Sequence, residues 1–453
     1  MKFYIREEVH IHGAPKDLKK KIKSLLTIPN PHFAKKIQME LSVWGIDSKL
    51  FFFREKNQKI IVPIGSLEEI ISIALDDGYH INSLDLIDCR VIERSPEYFE
   101  NIKFKGKLRD YQQETIDAQK DKTIGVIEAQ TGSGKTVIFI YKTLSRNINT
   151  LILVNTKELA EQTKEAFLKF SNLKAEDIGF IGSGTFDIKP ISIALLQTMR
   201  ALDEDKLKKV KEYFGQIIAD EVHIIAADTY YNVMKSLPSK YKWGYSATPS
   251  REDGLTPVIH WATGPLIHKV GSQTLKAHLI KPEYRQVKTD YYFPMISSQE
   301  YQTMITHMAE DKERNQLILD TFEKNDDKPS LFLCNRTSQV EILHKKIPRS
   351  IMLTSKMTKK QRKKSMEKIR SGEADHVVST WGLFSTGIDI PKLTYLYICG
   401  PMRSKIKIRQ AAGRLMRKSK GKFKSFIIDF VDHKIGLLIG QATQRKRIIN
   451  KLQ

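Results

Sequence analysis

Residues 128–136, EAQTGSGKT, bring two glycines, a lysine and a hydroxyl together in a spacing that suits phosphate. Backbone N–H groups of Thr131, Gly132, Ser133 and Gly134 can wrap phosphate oxygens. Lys135 can reach the β and γ phosphates, and the Thr136 hydroxyl can hold magnesium. The pattern G-x-x-x-x-G-K-[ST] would start with glycine where this chain has Ala129, a small residue that serves the same turn. Such a loop needs acidic partners on a neighbouring strand, and QIIADEVH, residues 216–223, supplies them. Asp220 would bind the metal, and Glu221 would orient and deprotonate a water. The chemistry these residue types imply is hydrolysis of a nucleoside triphosphate.

These groups sit in a chain of 453 residues that is 41% apolar, long enough for several buried cores. Its 75 lysines and arginines exceed its 52 acidic residues, a net charge of +23 that favours a polyanion such as nucleic acid. Three cysteines are too few for a disulfide framework or a zinc site, which fits a reducing compartment. No apolar run approaches the roughly 20 residues of a membrane span. The expectation is a cytoplasmic protein.

The positioning elements follow from short apolar runs separated by helical patterns. TIGVIEA, TLILVN, ISIALL, QIIAD and WGYSAT predict one parallel, doubly wound sheet with its site at the carboxyl ends of the strands. SLFLCN, SIMLTS, HVVST, TYLYICG and SFIIDF predict a second. Residues from 271 to about 312 read as a connector with a hinge near Pro282 and a first helix. Residues 1–98 read as a separate small α+β domain with a hairpin in KLFFFREKNQKIIVPIG and two helices. The expected domains are thus 1–98, 99–275 and 276–453.

Lys135 in AQTGSGKT, Asp220 and Glu221 in DEVH, SATP at 246–249 and QAAGRLMR at 410–417 resemble, in this order, the motifs of superfamily 2 helicases. SATPSREDG is similar to the XPB-like and UvsW-like phage fork-remodelling branch. The resemblance covers about residues 105–430. It implies two tandem RecA-like motor domains behind the α+β accessory domain, with ATP and Mg2+ as cofactors. It further implies that Arg109 and Gln112 of LRDYQ meet adenine, and that Ser246 and Thr248, with His223, couple nucleotide state to motion. Asn155 in VNTKELAEQ, Gln197 and Thr198 in LLQTM, Arg251, and Thr380 in STWGLFSTGIDIP would touch nucleic acid. Gly387 and Asp389 would face the nucleotide across a cleft. Gln410, Arg414 and Arg417 would complete the site, and their spacing with Gly413 predicts one helical face.

Two basic runs, TSKMTKKQRKKSMEKIRSG and RSKIKIRQAAGRLMRKSKGKFK, would neutralise phosphates, and Thr358 with Gln361 has capping-box spacing. KDLKKKIK, together with Trp44 and the phenylalanines at 51–53, marks a third basic patch. The expected function is an ATP-dependent DNA helicase or translocase on forked or four-way DNA, moving 3′ to 5′. The expected state is a monomer working with replication or recombination proteins. A duplex translocase, an RNA helicase and an ATP-gated subunit of a larger assembly remain open. A kinase would have no use for GIDIP and QAAGRLMR on a second sheet, and no nuclease metal constellation stands out.

Overall fold

The computed structural model describes residues 1–130, 132–222, 227–251, 253–271, 279–294, 300–325, 328–384, 390, 392–419 and 421–451. The chain divides into two compact units, one built on residues 1–130 and 134–270, the other on residues 131–133 and 271–453. No helix of the described residues is long and apolar enough to cross a membrane.

The first unit begins with a five-stranded sheet in the order Arg54–Lys56, Lys59–Pro63, Glu8–His12, Lys2–Ile5, Asp85–Asp88. Its hairpin turns on Asn57 and Gln58, at φ of 51° and 63°. Two left-handed residues in a two-residue turn match the twist of the flanking strands. Helices Lys16–Leu25 and Leu67–Asp76 pack on it through Leu18, Ile22, Ile70 and Ala74.

This amino-terminal sheet does not stand apart from the motor fold behind it. Phe3, Val9 and Ile70 share one apolar core with Val126, Tyr231 and Trp261. Phe52 packs against Tyr231 and Trp261 with ring centroids 5.2 Å and 5.1 Å away. A Cβ on Gly65 would lie 1.9 Å from the His260 carbonyl oxygen, so only glycine lets these two backbones approach. The sequence boundary at 98/99 therefore marks a change of sheet inside one compact unit.

An eight-stranded sheet follows, ordered Thr185–Asp187, Ile178–Gly182, Ile191–Leu195, Thr150–Val154, Gln216–Asp220, Tyr241–Ser246, Ile124–Glu128, Leu266–Lys269. All neighbours are parallel except the first pair. The five strands expected from apolar runs are present. Their central members are buried along their whole length, as a parallel sheet covered on both faces requires.

The second unit holds six parallel strands in the order Glu283–Thr289, Phe426–Asp432, Tyr395–Ile398, Ser330–Cys334, His376–Thr380, Ser350–Leu353. Its edge strand Glu283–Thr289 corrects the reading of this stretch as connector. Mostly polar and exposed, it has no apolar run to announce it, yet it pairs with Phe426–Asp432 over seven positions. Side chains lock that pairing: Tyr284 donates to Asp429 Oδ2 (2.6 Å) and Thr289 to Asp432 Oδ1 (2.6 Å). Buried Arg314 clamps Asp432 (2.6 Å) and donates to the Cys399 carbonyl (2.7 Å). Removing one partner of such a buried pair costs about 3–5 kcal/mol. The chain passes between units at Val270 and Gly271, upstream of the expected hinge at Pro282.

Candidate nucleotide site and nucleic-acid contacts

Strand Ile124–Glu128 delivers the phosphate loop to the carboxyl edge of the first motor sheet. The Ala129 N–H donates to the Ser246 carbonyl (2.8 Å), tying the loop to the neighbouring strand. Gly132 and Gly134 sit at φ of +91° and +78°, a left-handed turn that a Cβ would strain. Gly134 caps helix Lys135–Arg146 without a side chain, which leaves the first-turn N–H groups facing the loop.

Lys135 Nζ lies 3.0 Å from Glu221 Oε1, and both side chains are largely buried. Asp220 ends strand Gln216–Asp220, and its Oδ1 accepts the Glu221 N–H (2.9 Å). Glu221 itself sits at φ of 53°. For a residue other than glycine this costs about 1–2 kcal/mol, strain of the kind that collects at working sites. Burial, and secondarily the Glu221 charge, push the Asp220 carboxyl up to about 7, against the opposing pull of Lys135. One cation and two carboxylates thus share a dry corner beside the loop, and a buried carboxylate in this state gains from any added positive charge.

Gln112 arrives at the same place from helix Asp110–Asp117. Its Oε1 accepts the Arg109 N–H (3.0 Å), while a Cβ on Gly134 would fall 2.5 Å from its Nε2. The Gln112 amide is therefore packed against the phosphate loop. Arg109 reaches the Tyr111 hydroxyl (2.9 Å). Ser246 and Thr248 are buried, and the Ser246 hydroxyl accepts the Thr248 N–H (3.1 Å). The same segment thus holds both its own turn and the loop strand. Thr131, His223, Gly387 and Asp389 lie outside the described residues.

Asn155 and Gln197–Thr198 stand at the carboxyl ends of two adjacent parallel strands, Thr150–Val154 and Ile191–Leu195. Helix Lys157–Phe170 begins just after Asn155, and Gln197 and Thr198 lie in the first turn of helix Leu196–Arg200. Arg251 is drawn inward: its guanidinium grips Asp253 through two bonds of 3.0 Å and 2.5 Å.

In the second unit Thr380 closes strand His376–Thr380. Gln410 is buried on helix Lys405–Leu415, and Arg414 one turn later donates to the Phe384 carbonyl (3.1 Å) with its guanidinium 4.5 Å from the Phe384 ring. Arg417 departs from the expected helical face. The helix ends at Leu415 with Met416 as its cap, and Arg417 pairs with Leu279 in an antiparallel bridge. Two contacts stop the helix. Ile280 N–H donates to the Met416 carbonyl (2.8 Å), and the Lys422 amine takes the Leu415 carbonyl and, at 3.2 Å, that of Arg417. Lys422, counted in the sequence among cations for phosphate, is a buried helix cap instead, its amine lowered to about 8 by burial and by Arg417. Only its place just past the helix end hinted at this role.

The basic run at 356–370 does form a helix, Lys359–Ser371, with the capping box in place: Thr358 N–H donates to Gln361 Oε1 (2.8 Å) and Gln361 N–H to Thr358 Oγ1 (3.3 Å).

Residues 105–251 match the family described as type III restriction enzyme, res subunit, and residues 313–419 match the helicase conserved C-terminal domain. The chain belongs to the superfamily 2 helicases. It is 26% identical over 349 residues to a protein of Acanthamoeba polyphaga mimivirus that bears the name of an ATP-dependent RNA helicase, covering 74% of this chain and 66% of that one. It is 26% identical over 377 residues to the DNA 3′–5′ translocase XPB2 of Sulfurisphaera tokodaii, covering 73% and 83%. It is a relative, at 25% identity over 81% of this chain and 82% of the other, of a helicase of Escherichia phage T5. The chain spans about two thirds of the mimivirus protein's length and about four fifths of the other two. Among solved structures, Saccharomyces cerevisiae Dbp5 bound to RNA and ADP BeF3 shares the fold, with a TM-score of 0.59 and 16% identity over 77% of this chain and 89% of that one. This superfamily 2 helicase thus has two RecA-like motor domains, the P-loop on the first and QAAGRLMR on the second, and is an ATP-dependent enzyme.

Proposed function

We propose that this helicase is a DNA motor that works on forked or branched DNA and tracks 3′ to 5′. The observation that carries the reading is the Lys135, Asp220 and Glu221 corner on one parallel sheet, in a chain whose second unit carries Arg414 on helix Lys405–Leu415 and Arg417 just past its end. A DNA substrate and the 3′ to 5′ polarity are supported by the kinship with XPB2, and a polyanionic track by the charge of +23. Asp220 and Thr136 would hold Mg2+, a hard cation suited to oxygen ligands, phosphates and water. The fit rests on Asp220, whose buried charge is under-compensated by Lys135 alone. Bound magnesium would neutralise charge on the β and γ phosphates.

In this reading Lys135 transfers its ion pair from Glu221 to the γ phosphate, freeing Glu221 to orient and deprotonate the attacking water. Gln112, packed against the loop, reads the adenine edge and Arg109 supports it. Arg414 and Arg417 offset transition-state charge. Asn155, Gln197, Thr198 and Thr380 grip the nucleic-acid backbone, so that hydrolysis changes grip and moves the chain, as a monomer in the cytoplasm. A second reading, an RNA helicase, is favoured by the name of the mimivirus relative.

The test is ATP turnover by the purified chain alone and with single-stranded DNA, blunt duplex, a fork, a four-way junction and RNA. Strongest stimulation by branched DNA, with strand separation on the fork, is expected. Equal stimulation by RNA would move the function to RNA remodelling. No stimulation by any polymer would make the chain a subunit awaiting its partner.

A further inference from the structure

Residues 27–51 leave the amino-terminal sheet as a closed arm. A two-stranded ladder, Thr27 with Phe51 and Pro29 with Lys49, forms its root. Asn30 staples the two sides: its N–H donates to the Ser48 carbonyl (2.9 Å), its Nδ2 to the Asp47 carbonyl (2.8 Å), and its Oδ1 caps helix Pro31–Gln38. Leu41 N–H closes that helix on the Lys36 carbonyl (2.9 Å) with Glu40 at φ of 55°. At the tip, Ile46 N–H returns to the Val43 carbonyl (3.1 Å) and Gly45 sits at φ of +73°, which puts Trp44 on the outer corner of a tight turn. Phe52, next to the ladder, anchors the root against Tyr231 and Trp261 of the motor domain.

This hydrogen-bonded arm buries none of its side chains. No residue from 27 to 59 is buried, and Trp44 is 93% exposed, with Ile37, Met39 and Leu41 each more than half exposed around it. A turn that spends backbone order to hold the largest aromatic side chain in water calls for a partner. The surrounding charge says which kind. Residues 1–59 carry thirteen lysines and arginines against six acidic residues, whereas residues 60–98 carry two against eight. The arm itself carries Lys35, Lys36 and Lys49 against Glu40 and Asp47, on a chain of net charge +23. On it, Lys35, Lys36 and Lys49 form no ion pair among the described residues. Unpaired cations on the same short arm as an exposed aromatic ring are the elements of a platform for single-stranded nucleic acid, in which cations take phosphates and the ring takes a base.

Resting on the DNA-motor reading above, we propose that Trp44 is the point at which an unpaired base stacks where a duplex opens into single strands. The indole offers a π-face that any base accepts, and the stapled arm keeps it fixed relative to the first motor domain. A fully paired duplex offers no free base face along its length, so forks and junctions are the substrates it would favour.

The tryptophan inventory makes the test direct. Trp243, Trp261 and Trp381 are buried, so acrylamide-accessible tryptophan fluorescence of the full chain reports Trp44. Forked DNA should quench that signal and shield it from acrylamide, and blunt duplex should not. Trp44→Ala should weaken fork binding by roughly 5- to 150-fold, the range of one base stacked on an aromatic ring, and Trp44→Phe should restore most of it. Nucleic-acid-stimulated ATP turnover in the wild-type chain, with Trp44 unshielded by forks and Trp44→Ala binding them equally well, would overturn this inference and leave the DNA-motor reading intact. Absence of stimulation in the wild-type chain would overturn that reading instead, and this inference with it. Shielding that grows with protein concentration without nucleic acid would assign the face to a second copy and overturn the proposal.

Discussion

Asp220→Asn should stabilise the first unit while abolishing turnover, and the gain should depend on pH. The native carboxyl titrates near 7 against an ordinary 3.8, because it is buried beside Glu221. A native pKa above the unfolded one means the native state binds more protons between those values, so stability falls as pH rises from about 4 through 7. The penalty is full above pH 7 and absent below the unfolded pKa. A shift of this size corresponds to about 4 kcal/mol as an upper limit, and sharing of charge with Glu221 and Lys135 brings the expected gain to about 2–4 kcal/mol. The amide keeps an oxygen to accept the Glu221 N–H, so the turn survives. With about 2–4 °C per kcal/mol for a unit of this size, the variant should melt several degrees higher at pH 8 and level with the wild type near pH 4. The assay is thermal unfolding with chelator and without nucleotide, so that ligand binding adds no stability. A variant that melts lower at pH 8, or gains equally at both pH values, would refute the reasoning. The gain would be a stability cost that function imposes on the native sequence.

Three further substitutions test the proposed chemistry. Lys135→Ala should abolish ATP turnover yet keep salt-sensitive DNA binding, measured by filter binding across a salt series, and it should lower thermal stability at neutral pH because Glu221 loses its partner. Gly134→Ala should weaken nucleotide binding in calorimetry by tenfold or more, since a residue held at φ of +78° would gain a Cβ 2.5 Å from Gln112 Nε2. Arg417→Ala should leave nucleotide affinity within a few-fold but depress kcat by about 10³ or more, as loss of an arginine finger does; unchanged kcat in single-turnover assays would remove it from the chemistry.

Much of this protein was legible along the chain because the informative signals are local. A glycine turn before Lys135 and Thr136, two carboxylates at the end of an apolar strand, and fully apolar strand cores each reveal themselves within ten residues. The capping box of Thr358 and Gln361 lies within four residues and formed as its spacing predicts. Tertiary structure decided what depends on distant partners. Strand Glu283–Thr289 carries mostly polar residues because it lies at a sheet edge, and only pairing with Phe426–Asp432 makes it a strand. Arg417 continues a helical pattern, but the Lys422 amine and the Ile280 N–H take the carbonyls that would face the next turn, and the helix ends. The amino-terminal sheet reads as a domain by composition, yet Phe52 and Gly65 weld it to the motor through contacts nearly 200 residues away. Trp44 reads along the chain as a core residue more readily than as a surface one, and the folded arm overturns that by leaving it 93% exposed, because an aromatic residue in sequence does not say whether anything packs against it. Local pattern sets backbone preference and chemistry; long-range packing sets which groups meet, which charges are buried and which side chain is left facing solvent.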